Sequence, residues 1–161
     1  MDEQRFTDAV RQYQKLLLHI AYAMLHNEHD CADAVQQALL NAWRTRNRLR
    51  NEQAIKAWLS RILVNECHSI LRRRKRARLT ELSDELPAPP LADNMPLHDA
   101  LERLPQRLRM PLVLAYMEGF TIAEISEALR IPAGTVKSRM SQGRKQLAEM
   151  LKEEWEEGEE C

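Results

Sequence analysis

The sequence predicts an all-α protein made of two small helical domains joined by a flexible, proline-containing linker. Apolar residues recur at three- and four-residue spacing along most of the 161-residue chain, whereas strand signals are almost absent and only four glycines occur. Prolines and acidic residues concentrate between two such periodic regions, which is typical of an extended linker. Each periodic region is small, so we expect each domain to have a core only a few helices deep.

The shifts in composition also predict where the domains begin and end. They place the first domain at 1–79, the linker at 80–95, the second domain at 96–152 and an acidic tail at 153–161. Within the second domain, helical periodicity is interrupted at Pro105. Apolar residues at 110–117 then predict an apolar helix that continues into Gly119.

Composition limits where the protein can act. No apolar stretch approaches the roughly twenty residues that a membrane span needs, and no basic-then-apolar leader opens the chain, so we expect a cytoplasmic protein. The three cysteines, Cys31, Cys67 and Cys161, are an odd number without short-spaced pairs. This pattern favours reduced thiols over a disulfide framework.

The charges are segregated along the chain even though the net charge at pH 7 is zero. Residues 44–78 contain twelve basic and two acidic residues, whereas residues 149–160 contain seven acidic residues and one basic residue, Lys152. The basic block can hold phosphates and release their counterions. Overall neutrality therefore does not exclude a nucleic-acid-binding protein.

In the first domain, a helix is predicted to start at Asp30 as its N-cap and to run to Trp43. Val35, Leu39 and Ala42 are expected on its buried side. The opposite strip carries two amides, a carboxylate and a leucine, which suits a protein partner better than DNA, although a solvated amphipathic face is the alternative. This strip consists of Asp33, Gln36, Gln37, Leu40 and Arg44.

A later helix of the same domain presents a cationic face. Trp58, Ile62 and Leu63 are predicted to point inward, while polar and basic residues recur at three- or four-residue intervals on the outer face. These are Arg61, Asn65, Ser69, Arg72 and Arg76. Such a face could follow a nucleic-acid strand. By itself, the basic run 72–76 would more often be a solvated cluster or a nonspecific phosphate clamp.

Residues 121–147 are typical of a helix-turn-helix. Thr121 followed by Glu124 is a capping-box pattern, and Pro132 suits the first turn of the next helix because its missing N–H would be unpaired there anyway. On that next helix an apolar or close-packing stripe is formed by Val136, Met140, Gly143 and Leu147. The opposite face can bond phosphates and base edges through Thr135, Lys137, Ser138, Ser141, Gln142 and Lys145. An ordinary helical hairpin is the alternative.

With these motifs in this order, nearly the whole chain resembles the extracytoplasmic-function group of bacterial sigma factors, in the sigma-70 superfamily. Residues 33–43 resemble the sigma-two helix that grips the clamp coiled coil of RNA polymerase. Residues 57–74 resemble the segment of that domain that melts the promoter and reads the minus-ten element. Residues 104–105 and 134–139 resemble the sigma-four domain, whose recognition helix reads the minus-thirty-five element.

The resemblance implies a protein that is not an enzyme and needs no cofactor. Such a protein binds the clamp coiled coil and flap of core RNA polymerase, directs it to a subset of promoters in a stress or envelope regulon, and helps to open them. It also implies an anti-sigma factor, often membrane-bound, that masks the same surfaces. In this family a flipped minus-ten base enters a pocket of the first domain, and Asn65 occupies the matching position.

The resemblance assigns three sets of site residues. It implies polymerase contacts by Asp33, Gln36, Gln37, Leu40, Trp43 and Arg44. It implies minus-ten contacts by Arg61, Asn65, Ser69, Arg72, Arg73 and Arg76. It implies minus-thirty-five contacts by Thr135, Lys137, Ser138, Arg139, Ser141, Gln142, Arg144 and Lys145, with Arg139, Arg144 and Lys145 on phosphates. Three positions depart from the family pattern: Gln37 replaces an acidic residue, Leu39 an aromatic one and Gln142 a basic one.

Two other hypotheses remain open from the sequence. A stand-alone helix-turn-helix regulator that binds duplex operator DNA as a dimer would explain the second domain, but it leaves the strip on 33–44 and the cationic helix without a purpose. A metal-dependent protein could use His26, His29, Cys31, Cys67 and His68. No metal is expected, because there is no closed four-ligand pattern, the two first histidines lie in a predicted loop and no acid, base or nucleophile accompanies them.

Overall fold

The computed structural model describes residues 1–80 and 96–159, and no strand occurs within these two ranges. The helices are α1 (Glu3–Leu25), α2 (Glu28–Thr45), α3 (Ile55–Thr80), α4 (Pro96–Arg103), α5 (Gln106–Leu112), α6 (Ile122–Leu129) and α7 (Ala133–Glu159). Two short 3₁₀ turns, Arg46–Arg48 and Glu52–Ala54, connect α2 to α3. The all-α prediction is confirmed. The predicted linker, apart from its first residue, lies outside the described residues, as does Cys161.

Helix α7 extends into the acidic C-terminal segment. It continues past 152 to Glu159, so most of the segment predicted as an acidic tail is helical. Glutamate and lysine are good helix formers, and a helix that is already nucleated gains one hydrogen bond for each residue it adds. No helix of the described residues is long and apolar enough to cross a membrane.

The start of α2 corrects one prediction from the sequence. Asn27, not Asp30, is the N-cap, and its side-chain oxygen accepts a 3.0 Å hydrogen bond from the backbone N–H of Asp30. Asp30 lies in the first turn, where its carboxylate binds Arg74 on α3. Because the cap comes three residues earlier, the loop is shorter than expected. His26 lies in it, as predicted, at the left-handed C-cap of α1, whereas His29 is helical, so the prediction is wrong for His29.

The core of the first domain lies between α1, α2 and α3. Helix α2 contributes small buried side chains, namely Cys31, Ala34, Ala38 and Ala42. Val35 and Leu39, which were expected on the buried side with Ala42, are only half-buried. Small side chains at the buried positions allow the neighbouring helices to approach closely. The buried residues Ala34 and Ala38 therefore each lie one position before the larger Val35 and Leu39.

Helix α3 shows a similar shift. Leu63 is buried as predicted, but Trp58 and Ile62 are half-buried, and Leu59 lies in the core instead. The side chains at 58–59 and 62–63 form two adjacent apolar stripes on the helix. Both stripes satisfy helical periodicity, and only packing decides which one is covered.

The second domain packs α4, α5 and α6 around the N-terminal half of α7. The chain breaks at Pro105 before α5, as predicted, and a π-helical turn, Val113–Met117, continues α5 towards Gly119. Gly119 has a φ of +70°, which favours glycine. Gly143 is buried, and a Cβ added there would lie 2.8 Å from Leu112 Cδ1 and 3.3 Å from the carbonyl oxygen of Leu108. Its missing side chain therefore permits the close contact between α7 and α5.

The two domains are in direct contact. Lys56 Nζ on α3 lies 3.0 Å from Glu124 Oε2 on α6. On another side, His19 Nδ1 on α1 lies 3.2 Å from Glu118 Oε1. A further pair joins His26 Nδ1 to Glu102 Oε1 at 3.7 Å. Contacts from both α1 and α3 thus hold the second domain against the first.

Candidate nucleic-acid interface

The strip on α2 is a continuous exposed surface. Asp33, Gln36, Gln37 and Arg44 are all exposed, and Leu40 leaves 42% of its surface in solvent. Trp43 differs from its neighbours, because it is half-buried and packs edge-on against Phe6 at 5.2 Å between ring centroids. The guanidinium of Arg46 covers the same ring at 3.7 Å from its centroid. Trp43 thus contributes packing beside the strip.

A groove of about 560 Å³ lies between the end of α2, the two 3₁₀ turns and the first half of α3. It brings together Arg61 and Asn65, two of the predicted strand-binding residues, with the half-buried ring of Trp58. An aromatic face, a guanidinium and an amide are the three groups that stack on a base, hold a phosphate and bond a base edge. The arrangement can therefore accommodate an unstacked nucleotide.

The connection between α2 and α3 supplies part of this groove. Its wall includes Arg48, Arg50 and Asn51, none of which was among the predicted site residues. Their signal in the sequence was the basic block, in which every second residue from 44 to 50 is an arginine. Periodicity could not assign them, since they lie in short turns and at the residues between them.

A hydrogen bond between α2 and α3 fixes the inner wall of the groove. Asn41 Nδ2 donates to Glu66 Oε1 at 2.6 Å, and both residues are half-buried. Gln37 Nε2 in turn donates to Asn41 Oδ1 at 3.3 Å. Two consecutive hydrogen bonds, from Gln37 to Asn41 and from Asn41 to Glu66, therefore connect the strip on α2 to the groove.

The basic run at the end of α3 divides into two groups. Arg72, Arg73 and Arg76 are exposed, and Arg72 Nη2 donates to Ser69 Oγ at 3.1 Å. Arg74 turns inward, where it binds Asp30 and donates from Nη1 to the carbonyl oxygen of Leu25 at 3.0 Å. With a rise of about 1.5 Å per residue, the outer face of α3 from 61 to 76, on which Arg61 and Ser69 are half-buried, extends for roughly 22 Å. That length suits a strand that leaves the groove and follows the helix.

The predicted helix-turn-helix is present. Glu124 N–H donates to Thr121 Oγ1 at 3.1 Å, and Thr121 N–H donates to Glu124 Oε1 at 3.0 Å, so both bonds of the capping box form. Arg130 ends α6 in a left-handed conformation. The turn is closed by Ser126, whose hydroxyl donates to the carbonyl oxygen of Ile131 at 2.6 Å.

Helix α7 separates a packed side from an exposed side, as predicted. Val136, Met140 and Gly143 are buried, and Leu147 is half-buried. The exposed residues are Lys137, Ser138, Ser141, Gln142, Arg144 and Lys145, while Thr135 and Arg139 are half-buried. Arg144 Nη1 donates to the hydroxyl of Tyr116 at 3.2 Å, which ties this cation to the π-helical turn Val113–Met117 that follows α5.

The residues considered for a metal do not converge. His26 and His29 each face a different carboxylate, Glu102 and Asp33 respectively. Cys31 and Cys67 are buried free thiols, and burial raises the pKa of Cys67 to about 12. Within residues 1–80 and 96–159, no three His, Cys, Asp or Glu side chains form a group that could hold a metal ion.

Comparison with known proteins identifies the family. Residues 9–77 match the family model for sigma-70 region 2, and residues 94–147 match that for sigma-70 region 4. Over 157 residues the chain is 34% identical to the ECF RNA polymerase sigma factor SigM of Mycobacterium tuberculosis, covering 93% of this chain and 79% of SigM. The chain belongs to the sigma-70 family. Members of this family are transcription initiation factors rather than enzymes.

Other members resemble this sigma factor along most of their length. It is 28% identical over 171 residues to the ECF RNA polymerase sigma factor SigW of Bacillus subtilis, covering 94% of this chain and 91% of SigW. Among solved structures, the sigma factor RpoE of Bartonella quintana, crystallised with the anti-sigma factor NepR, superposes with a TM-score of 0.75. That match has 28% identity and covers 91% of this sigma factor and 96% of RpoE. The groove therefore lies in region 2 and the helix-turn-helix in region 4.

Proposed function

We propose that this sigma factor binds core RNA polymerase, directs it to a subset of promoters, and holds an unpaired minus-ten strand in the region 2 groove. The observation that supports this most directly is the convergence of Trp58, Arg61 and Asn65 with the arginines of the α2–α3 connection. Reading a base outside the duplex costs a few kcal/mol of unstacking and unpairing. A pocket with an aromatic wall and cationic rim offsets that cost.

The strip on α2 is the proposed polymerase contact, including the clamp coiled coil. Leu40 is its apolar centre, and polar or charged side chains of the strip surround it. An exposed apolar residue inside a polar rim is a common arrangement at protein interfaces. Trp43 supports this contact by holding the end of α2 against Phe6. The flap of the polymerase is a second proposed contact, for region 4.

In the groove, Asn65 is the proposed base-reading residue. Its exposed amide has both a donor and an acceptor for a base edge. Arg61 lies one helical turn before it and is placed to hold a backbone phosphate. Further along α3, the phosphate contacts are assigned to Ser69, Arg72, Arg73 and Arg76.

The exposed side of α7 is proposed to read the minus-thirty-five duplex in the major groove. Lys137, Ser138, Ser141 and Gln142 are assigned to base edges and nearby phosphates, with Thr135 at the helix start. Arg139, Arg144 and Lys145 are assigned to the phosphate backbone. Because the stripe that holds α7 in the domain is on its other side, these contacts need no change in packing.

The wider role follows from this assignment. We place the protein in the cytoplasm, in a stress or envelope regulon, without enzymatic activity of its own. An anti-sigma factor is a further proposed partner, since RpoE of Bartonella quintana was solved in complex with NepR.

Runoff transcription on a genomic fragment library tests the proposal. Purified protein is added with and without sigma-free core RNA polymerase, and the core alone is the control. New transcripts that need both components would support a sigma factor and reveal its promoters. Specific duplex binding by the protein alone, without core association, would instead favour an operator-binding regulator.

A further inference from the structure

The inner wall of the region 2 groove carries a carboxylate. Glu66 of α3 lines the groove and is half-buried, whereas its neighbour Asn65 is exposed. Glu127 of α6 also lines the groove, but it is exposed. A partly covered carboxylate is unexpected in a cationic groove, because its negative charge repels the phosphates of a bound strand. The chemistry of Glu66 therefore points to a contact other than phosphate binding.

Helix α2 holds this carboxylate in place. Asn41 Nδ2 donates to Glu66 Oε1 at 2.6 Å, and Asn41 Oδ1 accepts from Gln37 Nε2 at 3.3 Å. Both polar ends of the Asn41 amide are thus used, which fixes its orientation. A hydrogen bond to an ionised acceptor is shorter and stronger than one between neutral groups. The position of Glu66 is therefore set before a ligand arrives, and little rotamer entropy is left to lose on binding.

The bond from Asn41 leaves acceptor capacity on Glu66. A carboxylate has about four lone-pair sites and no donor, and this bond uses one of the sites. If the side chain served only to join α2 to α3, a neutral amide would accept the same bond without repelling phosphate. Glu66 also differs from Asn65, whose amide offers both a donor and an acceptor. The groove thus presents an acceptor-only group beside a mixed one.

The surroundings of Glu66 suit a base. Trp58 lines the same groove with a half-buried aromatic ring, on which a base can stack. The phosphates of the strand can pair with Arg48, Arg50 and Arg61, which also line the groove. Because these cations attract the strand, they offset the repulsion between its backbone and the carboxylate.

An acceptor-only group distinguishes among the four bases. Adenine, cytosine and guanine each carry an exocyclic amino group that can donate to a carboxylate, as in the pairing of Glu or Asp with cytosine N4. Thymine has no amino group. Its single N3–H lies between two carbonyl oxygens, which repel a carboxylate. A fixed carboxylate that faces the edge of an unpaired base therefore selects against thymine.

We propose that Glu66 is a specificity-determining residue of the groove: its carboxylate accepts a hydrogen bond from the exocyclic amino group of an unpaired minus-ten base and selects against thymine at that position. Asn41 is a positioning residue that aims the carboxylate. Glu66 adds a second base contact to that of Asn65. It has this role only if the groove holds the minus-ten strand, so the inference rests on the proposed function.

Three variants of the full chain test this proposal. Glu66→Gln has almost the same shape, keeps an oxygen for the bond from Asn41 and replaces the other oxygen with an N–H₂ donor. Asn41→Ala keeps the carboxylate but removes the group that positions it. Glu28→Gln makes the same chemical change as Glu66→Gln at an exposed position of α2 that does not line the groove, and it is the matched control.

Base preference is measured by transcription with sigma-free core polymerase from a promoter recovered in the runoff experiment. Each minus-ten position carries each of the four bases in turn, and a barcode in the transcribed sequence identifies each template. Wild type and Glu28→Gln should share a position at which a base with an amino group is preferred over thymine. At that position Glu66→Gln should lower the preference at least about tenfold, and Asn41→Ala should lower it less. Preferences at the other positions should stay unchanged.

A base analogue tests the same contact with the unaltered protein. The preferred base is replaced by the counterpart that lacks only the exocyclic amino group, namely purine for adenine, hypoxanthine for guanine or 2-pyrimidinone for cytosine. Wild type should lose at least about tenfold in open-complex yield, whereas Glu66→Gln should lose less than about twofold. The missing amino group also weakens base pairing, which favours opening, so a loss of yield in wild type is diagnostic.

Three results would overturn the proposal: wild-type base preference with Glu66→Gln at every minus-ten position, an equal loss of transcription on all bases, or no cost of the analogue to wild type. The second is what loss of a purely structural bond would give. If Asn65→Ala alters base preference and Glu66→Gln does not, only the role of Glu66 fails. If wild type gives no core-dependent transcripts, the proposed function fails, and base selection by Glu66 fails with it.

Discussion

Arg74 on α3 is bound to Asp30 on α2, and it also donates a hydrogen bond to the carbonyl oxygen of Leu25 at the end of α1. One side chain thus joins all three helices of region 2. Its position inside a basic run would suggest a DNA contact, but its guanidinium is occupied within the fold. Arg73, next to it, is exposed.

We expect Arg74→Ala to lower the free energy of unfolding by about 2 kcal/mol, because it leaves a partly buried carboxylate and a helix-end carbonyl without their donor. Arg73→Ala removes the same charge at an exposed position and should change the free energy of unfolding by less than about 0.5 kcal/mol. Urea titration of both variants measures the difference. Equal stabilities would show that the Arg74 contacts contribute nothing net.

Asn65→Ala should preserve closed-complex formation and impair opening, since the substitution removes the amide assigned to a flipped base. Permanganate footprinting of the minus-ten region measures the yield of open complexes on a set of minus-ten variants. Asn47→Ala, at an exposed asparagine that does not line the groove, is the control. Wild-type yield and base preference with Asn65→Ala on every template would remove Asn65 from the site.

Leu40→Asp should weaken binding to core polymerase by at least about tenfold, because it places a charge at the apolar centre of the α2 strip. Leu18→Asp on α1 is a matched control, since Leu18 is 45% exposed and Leu40 42% exposed. Affinity is measured by fluorescence anisotropy with labelled protein. A similar loss for both leucines would contradict a specific role of α2.

Lys137→Ala combined with Ser138→Ala should weaken holoenzyme binding to duplex promoters while leaving core association unchanged. The pair lies on the exposed side of α7, so its loss removes DNA contacts without disturbing the packed stripe. Electrophoretic mobility shifts on promoter fragments measure the effect, with Lys152→Ala on the same helix as control. Unchanged promoter selection would exclude these two residues from readout.

The Cys67 thiol should resist alkylation at neutral and mildly alkaline pH. Burial raises its pKa to about 12 from the ordinary value of 9.0, so the reactive thiolate is scarce in the folded chain. The unfolded chain ionises first as pH rises above 9.0, so this residue's contribution to stability declines between 9.0 and about 12. Iodoacetamide labelling at pH 8, with and without urea, followed by peptide mass spectrometry, checks the reactivity. Equal labelling in both conditions would contradict the buried position.

Local patterns allowed most of the helix-turn-helix to be predicted from the sequence. Thr121 and Glu124 cap α6 by contacts across three residues, and the stripe on α7 depends only on helical spacing. The start of α2 could not be predicted, because Asn27 and Asp30 are both good N-caps. Which one serves is decided by Arg74, which is distant in sequence and holds the aspartate in another role.

No local sequence pattern predicted the contacts between the two domains. Lys56 and Glu124 look like ordinary solvent-facing residues of two helices, and their pairing depends on how the complete domains dock. Likewise, the groove residues at 48–51 lie in turns that follow no helical or strand period. The exposed faces could be predicted because periodicity defines them, whereas the surfaces that meet or enclose a cavity required the three-dimensional arrangement.

At Gly143 the backbone of α7 packs closely against the side chain of Leu112 on α5, and this contact helps to set the position of α7. The contact is on the side of α7 opposite the residues assigned to DNA. The axis of the recognition helix is consequently independent of the identity of its exposed residues. Under the proposed assignment, natural variation on that exposed surface alters promoter preference one substitution at a time while the helix keeps its place. Paralogues could thus diverge in the genes they control without acquiring a new fold.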